Sequence, residues 1–224
     1  MFDAIAPTYD LLNSVLSGGM HRIWERALVA SVPVSPTGRC LDLCTGTGAL
    51  VPRLAKKFQA VVGADISPQM LQVARSRFRA LSHVEWVEAD AQQLPFDDAS
   101  FDCLTISYGI RNVPNLELGL SEIRRVVKPG GTIAILEFGT PRNSIWRGLF
   151  SLYSRCIIPF VGGMFSGQRG AYEYLPTTAA AFPYGDAFEG LLAKAGLTPQ
   201  KTRRLMGGVA YIYVAARSGN GGSR

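Results

Sequence analysis

Three acids and two glycines are spaced along the first half of this chain so that they could hold a nucleoside. Cys40-Leu41-Asp42-Leu43-Cys44-Thr45-Gly46-Thr47-Gly48 reads as a buried strand running into a glycine turn, and Val61-Val62-Gly63-Ala64-Asp65 as a second strand ending in a carboxylate. Glycine has no Cβ, so backbone at the turn can approach a ligand closely. An acid about twenty residues beyond such a turn is placed to accept hydrogen bonds from ribose hydroxyls. Asp90 follows a third strand in Val87-Glu88-Ala89-Asp90-Ala91. There a carboxylate can accept from an adenine amine while the next backbone N–H donates to a ring nitrogen. The dinucleotide fingerprint itself fails, because its third glycine position, counted from Gly46, holds β-branched Val51. A pyrophosphate cradle is disfavoured, and a nucleoside without phosphates, such as S-adenosylmethionine, fits better. A glycine turn alone could be no more than a tight strand-to-helix link. Asp65 and Asp90 at successive carboxyl ends favour a ligand site.

These residues need a parallel sheet to bring them to one edge, and the chain alternates accordingly. Strands are expected at Arg39–Leu43, Ala60–Asp65, Val84–Glu88, Phe101–Ser107 and Thr132–Phe138, and helices at Ala49–Phe58, Pro68–Ala80 and Leu116–Val127. Ser67 is the natural cap of the second helix, with Pro68 at its first position. Lys128-Pro129-Gly130-Gly131 reads as a turn. Continuous apolar strands between amphipathic helices mean a doubly wound sheet covered on both faces. Near the end, helix Gly185–Ala195 precedes strands Thr202–Leu205 and Val209–Ala215, whose short link Met206-Gly207-Gly208 permits only an antiparallel hairpin. The fold class expected is α/β: the class I S-adenosylmethionine-dependent methyltransferase (Rossmann-like) fold, mostly parallel and ending in an antiparallel hairpin.

One methyltransferase domain is expected over 1–217. A helical cap spans 1–38 and closes with the linker Pro33–Gly38; a cofactor-binding core spans 39–140, a substrate lid 141–184 and a terminal helix and hairpin 185–217. The Gly/Ser-rich 218–224 reads as a disordered tail. Within the lid, Trp146, Leu149, Phe150, Tyr153, Cys156 and Ile157 fall on one face at helical spacing, suited to core packing, to covering a greasy substrate, or to both.

Composition bounds the rest. At 224 residues with 47% hydrophobic content the chain can build a full core. Met1-Phe2-Asp3-Ala4 has no secretory character, and Cys156 to Phe165 is too short to span a bilayer, so a cytoplasmic protein is expected. Four cysteines and two histidines show no metal-ligand spacing, so neither a metal site nor a disulfide framework is expected. The net charge of +6 comes from dispersed arginines at helix ends, which complement helix dipoles. Arg142, Arg147 and Arg155 flank an apolar segment and keep contact with an anionic membrane open. After the fourth strand, Ser107-Tyr108-Gly109-Ile110-Arg111-Asn112 lacks the Pro-Pro-aromatic or Pro-Cys patterns of nucleic-acid methyltransferases, and a nucleic-acid partner is not expected.

From Phe2 to about Val214 the sequence resembles the ubiquinone/menaquinone-biosynthesis C-methyltransferase family (UbiE/MenG type). The resemblance rests on Tyr9-Asp10-Leu11-Leu12-Asn13-Ser14-Val15-Leu16-Ser17 with His21 and Trp24, and on Arg125-Val126-Val127-Lys128-Pro129-Gly130-Gly131 through Leu136-Glu137-Phe138-Gly139. It extends to Tyr174-Leu175-Pro176, Phe182-Pro183 and Gly207-Gly208. Leu12 replaces a usual Met, Gly139 a usual Ser, Ala49 a frequent acid and Tyr213 a frequent His. The resemblance implies S-adenosylmethionine contacts at Thr47, Asp65, Asp90, Ala91 and Ser107. Asp42, Gly46, Gly48 and Ile66 complete the expected cofactor set. It also implies methyl transfer to a ring carbon of a prenylated quinol, whose hydroxyl must lose its proton to a base or beside a cation. Arg111, as a cation or through a bound water, is the candidate for that step, with Tyr9, Asn112 and His21 lining the site. Expected partners are the lipophilic quinol and, transiently, the inner face of a membrane, with homo-oligomerisation open. Two alternatives stay open: a methyltransferase of the same fold acting on another small lipophilic acceptor, and a noncatalytic cofactor- or lipid-binding protein.

Overall fold

Four of the first five strands carry buried residues on both faces and therefore need cover above and below, whereas the edge strand Val84–Glu88 exposes its glutamates. The computed structural model describes residues 14, 17–153 and 182–219. In chain order it contains α1 (Met20–Ser31), β1 (Ser35–Leu43), α2 (Val51–Leu54), β2 (Phe58–Asp65), α3 (Pro68–Arg77), β3 (Val84–Glu88), β4 (Phe101–Ser107), α4 (Leu116–Val126), β5 (Val127–Phe138), α5 (Ser144–Leu152), α6 (Asp186–Lys194), β6 (Leu197–Leu205) and β7 (Ala210–Arg217). One sheet runs β3-β2-β1-β4-β5-β7-β6. Its first five positions are parallel, and β7 lies antiparallel to both β5 and β6. Strand order reverses between β1 and β4, and the carboxyl ends there open the crevice in which such sheets take ligands.

Alternation along the strands splits the core. Leu41, Leu43, Leu104 and Ile106 pack with Leu120 and Ile123 of α4 and Phe188 and Leu192 of α6. On the opposite face Cys40, Val61 and Cys103 pack with Trp24 and Leu28 of α1 and Val51 and Leu54 of α2. The position at which the dinucleotide motif fails, Val51, is a fully buried anchor of this second face. Ser67 caps α3 as expected, accepting from the Met70 N–H at 3.2 Å, with Pro68 opening the helix.

Several boundaries differ from expectation for local reasons. The helix expected over Ala49–Phe58 is only Val51–Leu54, and the chain is back in strand by Phe58. The linker Pro33–Gly38 is partly absorbed into β1, which begins at Ser35 with an irregularity before Arg39. Lys128–Gly131 is not a free turn but a bulge within β5: Phe101 and Cys103 pair with Val127 and Thr132, so three extra residues are accommodated on β5. The closing hairpin is longer than expected on both arms. The expected face on α5 also divides: Trp146 and Phe150 pack toward the core, whereas Leu149 points away and is exposed. Residues 154–181, holding Cys156, Ile157 and the rest of the expected lid, lie outside the described residues, as do Tyr9 and 220–224.

Candidate active site

The turn after β1 is built on two glycines with different duties. Gly46 has φ 56°, and a Cβ there would meet nothing within 4 Å, so its open side faces the crevice. Gly48 has φ 80°, but a Cβ there would lie 2.6 Å from Trp86 Cη2. Gly48 is needed for packing beneath Trp86, and it lines neither cleft described below. Of the four non-glycine residues with left-handed backbone among the described residues, two stand at this edge, Cys44 and Tyr108, each at φ 56°. They follow adjacent strands β1 and β4 and flank the crevice, where strained backbone is often concentrated around function.

The expected acids converge on this edge. Asp65 accepts from the Gly46 N–H through Oδ2 (2.8 Å) and from the Ser67 N–H through Oδ1 (2.9 Å), tying the glycine turn to the start of α3. Asp90 accepts from the Gln92 N–H at 2.8 Å. Asp42 is buried, and its carboxylate accepts from Thr45 Oγ1 (2.6 Å) and Thr105 Oγ1 (2.7 Å). Burial pushes its pKa up to about 6, against the two hydroxyl hydrogen bonds that lower it and with a further rise from Asp65. Burial likewise pushes the Cys44 thiol well up, so it stays protonated at neutral pH.

Two clefts share this edge. The smaller, about 130 Å³, is lined by Asp65, Ile66, Asp90, Ala91, Ser107 and Asn112. The larger, about 290 Å³, is lined by Asp42 and Thr47 and by His21, Glu25, Arg53 and Arg77. Cys44, Gly46, Ser107 and Tyr108 line both, making one continuous crevice. Ser107 Oγ and Asn112 Oδ1 are buried and have no hydrogen-bond partner among the described residues, so polar acceptors and donors are left for a ligand. Among the described residues no group of three or more His, Cys, Asp or Glu is arranged to hold a metal.

The catalytic candidates separate. Asn112 lines the smaller cleft and His21 the larger, with His21 Nδ1 2.7 Å from Ser17 Oγ. Tyr9 is outside the described residues. Arg111 lines neither cleft: its side chain is 3% exposed and pairs at 2.6 Å with Glu137, which is fully buried. The same guanidinium donates to the Tyr108 carbonyl (2.6 Å) and lies over the Phe138 ring, 5.2 Å from its centre. Glu137 also accepts from the backbone N–H groups of Arg111 and Phe138. The pair therefore locks the loop after β4 to the end of β5.

Glu137 is the residue that motif reading missed. Its signal was present, since a lone acid inside the apolar strand Ile133–Phe138 must be paired. Glu25, buried on α1 and facing the larger cleft, carried no comparable signal. The departures from the family pattern also find local reasons. A Cβ at Gly139 would lie 2.5 Å from the Tyr211 ring, so glycine accompanies that tyrosine. Tyr213 is buried, and its hydroxyl accepts from the Gly185 N–H at 2.7 Å, which makes it an anchor for the start of α6.

A profile of the ubiE/COQ5 methyltransferase family matches residues 1–217. The chain is 40% identical to the ubiquinone/menaquinone biosynthesis C-methyltransferase UbiE of Geobacter sp. (strain M21), over 97% of this chain and 94% of the relative. It is 42% identical to the demethylmenaquinone methyltransferase of Thermus thermophilus, over 97% of this chain and the whole relative. Among solved structures it is similar to a putative methyltransferase complexed with the Haloferax volcanii Trm112 activator (18% identity, TM-score 0.72, 98% of each chain). It also resembles the geranyl diphosphate C-methyltransferase of Streptomyces coelicolor A3(2), solved with S-adenosyl-L-homocysteine (15% identity, TM-score 0.66, 90% of this chain and 81% of that one). The chain belongs to the ubiE/COQ5 methyltransferase family and is an S-adenosylmethionine-dependent C-methyltransferase.

Proposed function

We propose that this protein methylates a ring carbon of a prenylated quinol in quinone biosynthesis. The observation that carries the reading is the continuity of the two clefts through Cys44, Gly46, Ser107 and Tyr108, which lets one extended nucleoside ligand lie across both while an aromatic acceptor reaches its centre at the end of β4. The names of the relatives support the quinol as the acceptor.

The crevice suits the cofactor. Asp65 and Asp90 would take its ribose and adenine in the smaller cleft, with Ile66 and Ala91 against the ring. Asp42 and Thr47 with Arg53 and Arg77 of the larger cleft would take its zwitterionic methionyl end. When bound, S-adenosylmethionine supplies a methyl group on a sulfonium, an electrophile strong enough that alignment and exclusion of water become the protein's main tasks.

This chain's residues then divide the work. Tyr108, stacked on Phe138 with ring centres 4.6 Å apart, offers an aromatic wall beside the cofactor's cleft. Asn112 would receive a ring hydroxyl through its unpaired Oδ1. His21, in the larger cleft, is the candidate base for the proton of the quinol's other ring hydroxyl. Arg111 acts through the loop it anchors, its charge balanced by Glu137.

The test is methyl transfer from labelled S-adenosylmethionine to a short-chain demethylmenaquinol and to a methoxy-polyprenyl-benzoquinol, each kept reduced. Product from either supports quinol C-methylation, and the ratio assigns the ring. Cofactor binding with no product from either acceptor overturns the acceptor assignment.

A further inference from the structure

Helix α5 is apolar yet has no buried residue. Its inward stripe, Trp146 and Phe150, packs partly against the core, while Ile145, Leu149 and Leu152 recur at helical spacing on the adjoining face and are 74%, 56% and 63% exposed. Beside it stands the β6–β7 tip. Trp146 Nε1 donates to the Met206 carbonyl at 3.0 Å, and the Arg142 N–H donates to the Gly207 carbonyl at 3.3 Å. Met206, in left-handed backbone at φ 43°, leaves its side chain 44% exposed. An exposed hydrophobic stripe of this kind marks an interaction surface.

The charges around it indicate the occupant. Arg142 and Arg147 on the α5 side and Arg203 on the hairpin, whose strand partner Ile212 packs in the same cluster as Trp146 and Phe150, are all exposed. Among the described residues the acid paired with this group is Asp186, which lies 3.9 Å from Arg142 and is itself 91% exposed. A two-fold contact with a second copy would bring these arginines face to face, which like charges oppose. A surface of anionic lipid headgroups over acyl chains satisfies both the arginines and the stripe.

The position of the patch adds a reason. Ala210 pairs with Phe138, so the hairpin tip sits at the carboxyl end of β5. That is the sheet edge on which the cofactor clefts open, with the Tyr108–Phe138 stack between patch and clefts.

We infer that the outer stripe of α5 and the β6–β7 tip dock on an anionic bilayer, presenting the acceptor side of the crevice to a membrane-borne substrate. This rests on the prenylated-quinol reading and adds where the protein meets its lipid. Ile145, Leu149 and Leu152 insert, while Arg142, Arg147 and Arg203 hold the headgroups.

The test compares wild-type full-length protein with the triple variant Ile145→Ser/Leu149→Ser/Leu152→Ser, whose altered residues touch neither cleft. Co-sedimentation is measured with vesicles of phosphatidylcholine alone and with added phosphatidylglycerol. The wild type should bind the anionic vesicles, bind the neutral ones at least tenfold more weakly, and release as salt is raised. The variant should lose at least tenfold in vesicle binding, keep its turnover of a short-chain quinol in solution, and lose at least tenfold in turnover of a long-chain quinol held in vesicles. Equal vesicle binding by the two proteins overturns the inference. So does a change in sedimentation state of the variant without a change in vesicle binding, which would assign the stripe to self-association. Normal vesicle binding with neither quinol methylated leaves the docking surface standing and overturns the acceptor reading instead.

Discussion

The two halves of the crevice are built on different physical logic. The cofactor half, over β1–β3, is made of short-range devices: a glycine turn, carboxylates just past strand ends, and a capped helix that follows within three residues of Asp65. The half proposed for the acceptor, at the end of β4 and braced by β5 and β7, depends on contacts between residues far apart in the chain. Arg111 meets Glu137, Gly139 makes room for Tyr211, and Trp146 meets Met206. A cofactor common to many enzymes can be held by local geometry, whereas a particular acceptor needs a wall assembled from several elements. The halves meet at Ser107–Asn112, where the loop after β4 lines one side and is pinned from the other.

Breaking that pin should give the largest effect. Glu137→Ala leaves the Arg111 guanidinium buried without its carboxylate, and removing one partner of a buried pair costs about 3–5 kcal/mol. Urea unfolding should show this loss. Arg111→Ala should lower turnover far more than cofactor affinity, because Arg111 lines neither cleft. Equal losses in both would transfer Arg111 to the cofactor half and erase the division drawn here. On the cofactor side, Asp65→Ala removes the acceptor of two backbone N–H groups and of the ribose. At about 1.5–3 kcal/mol for a hydrogen bond to a charged group, affinity by calorimetry should fall about 100-fold or more. Unchanged affinity would mean that Asp65 only braces the turn.

The same division explains what was legible in the sequence. Asp42, Gly46, Asp65, Asp90 and Ser107 could be placed because strand alternation and the distance to the next strand end locate them without tertiary information. Gly48 was legible as a glycine but not for its reason, because the Trp86 ring that requires it arrives from β3. The short α2 and the bulge in β5 were missed because periodicity cannot tell a helix from a strand over a few apolar residues. In the acceptor half, periodicity put Leu149 on the same face as Trp146 and Phe150. Neighbours three and four apart on a helix can be divided between core and exterior, and only packing against the hairpin decides where the line falls. Arg111 stood out by type, but its partner lies 26 residues on, in another strand.

Asp42 sharpens the comparison from inside the cofactor half, with the smallest effect and two opposite signs. Its folded pKa of about 6 stands above the ordinary 3.8, so the folded chain binds this proton more tightly than the unfolded chain. Stability of the ligand-free protein should therefore fall as pH rises from about 4 to about 6 and be flat above, by about 2–3 kcal/mol at 1.36 kcal/mol per unit. Cofactor affinity should run the other way. Asp42 faces the cleft proposed for the methionyl end, and only its ionised form attracts the ammonium group there. Affinity should be full above about pH 6 and drop roughly tenfold for each unit below it, as the carboxyl group protonates. Asp42→Asn keeps one oxygen to accept from one of the two threonine hydroxyls and turns an NH2 to the oxygen of the other, but it has no charge to lose, so both pH dependences should flatten together. If the stability slope vanishes in this variant while the affinity slope remains, Asp42 serves the fold, and the titrating partner of the cofactor is another acid at the same cleft, with Glu25 the next to test.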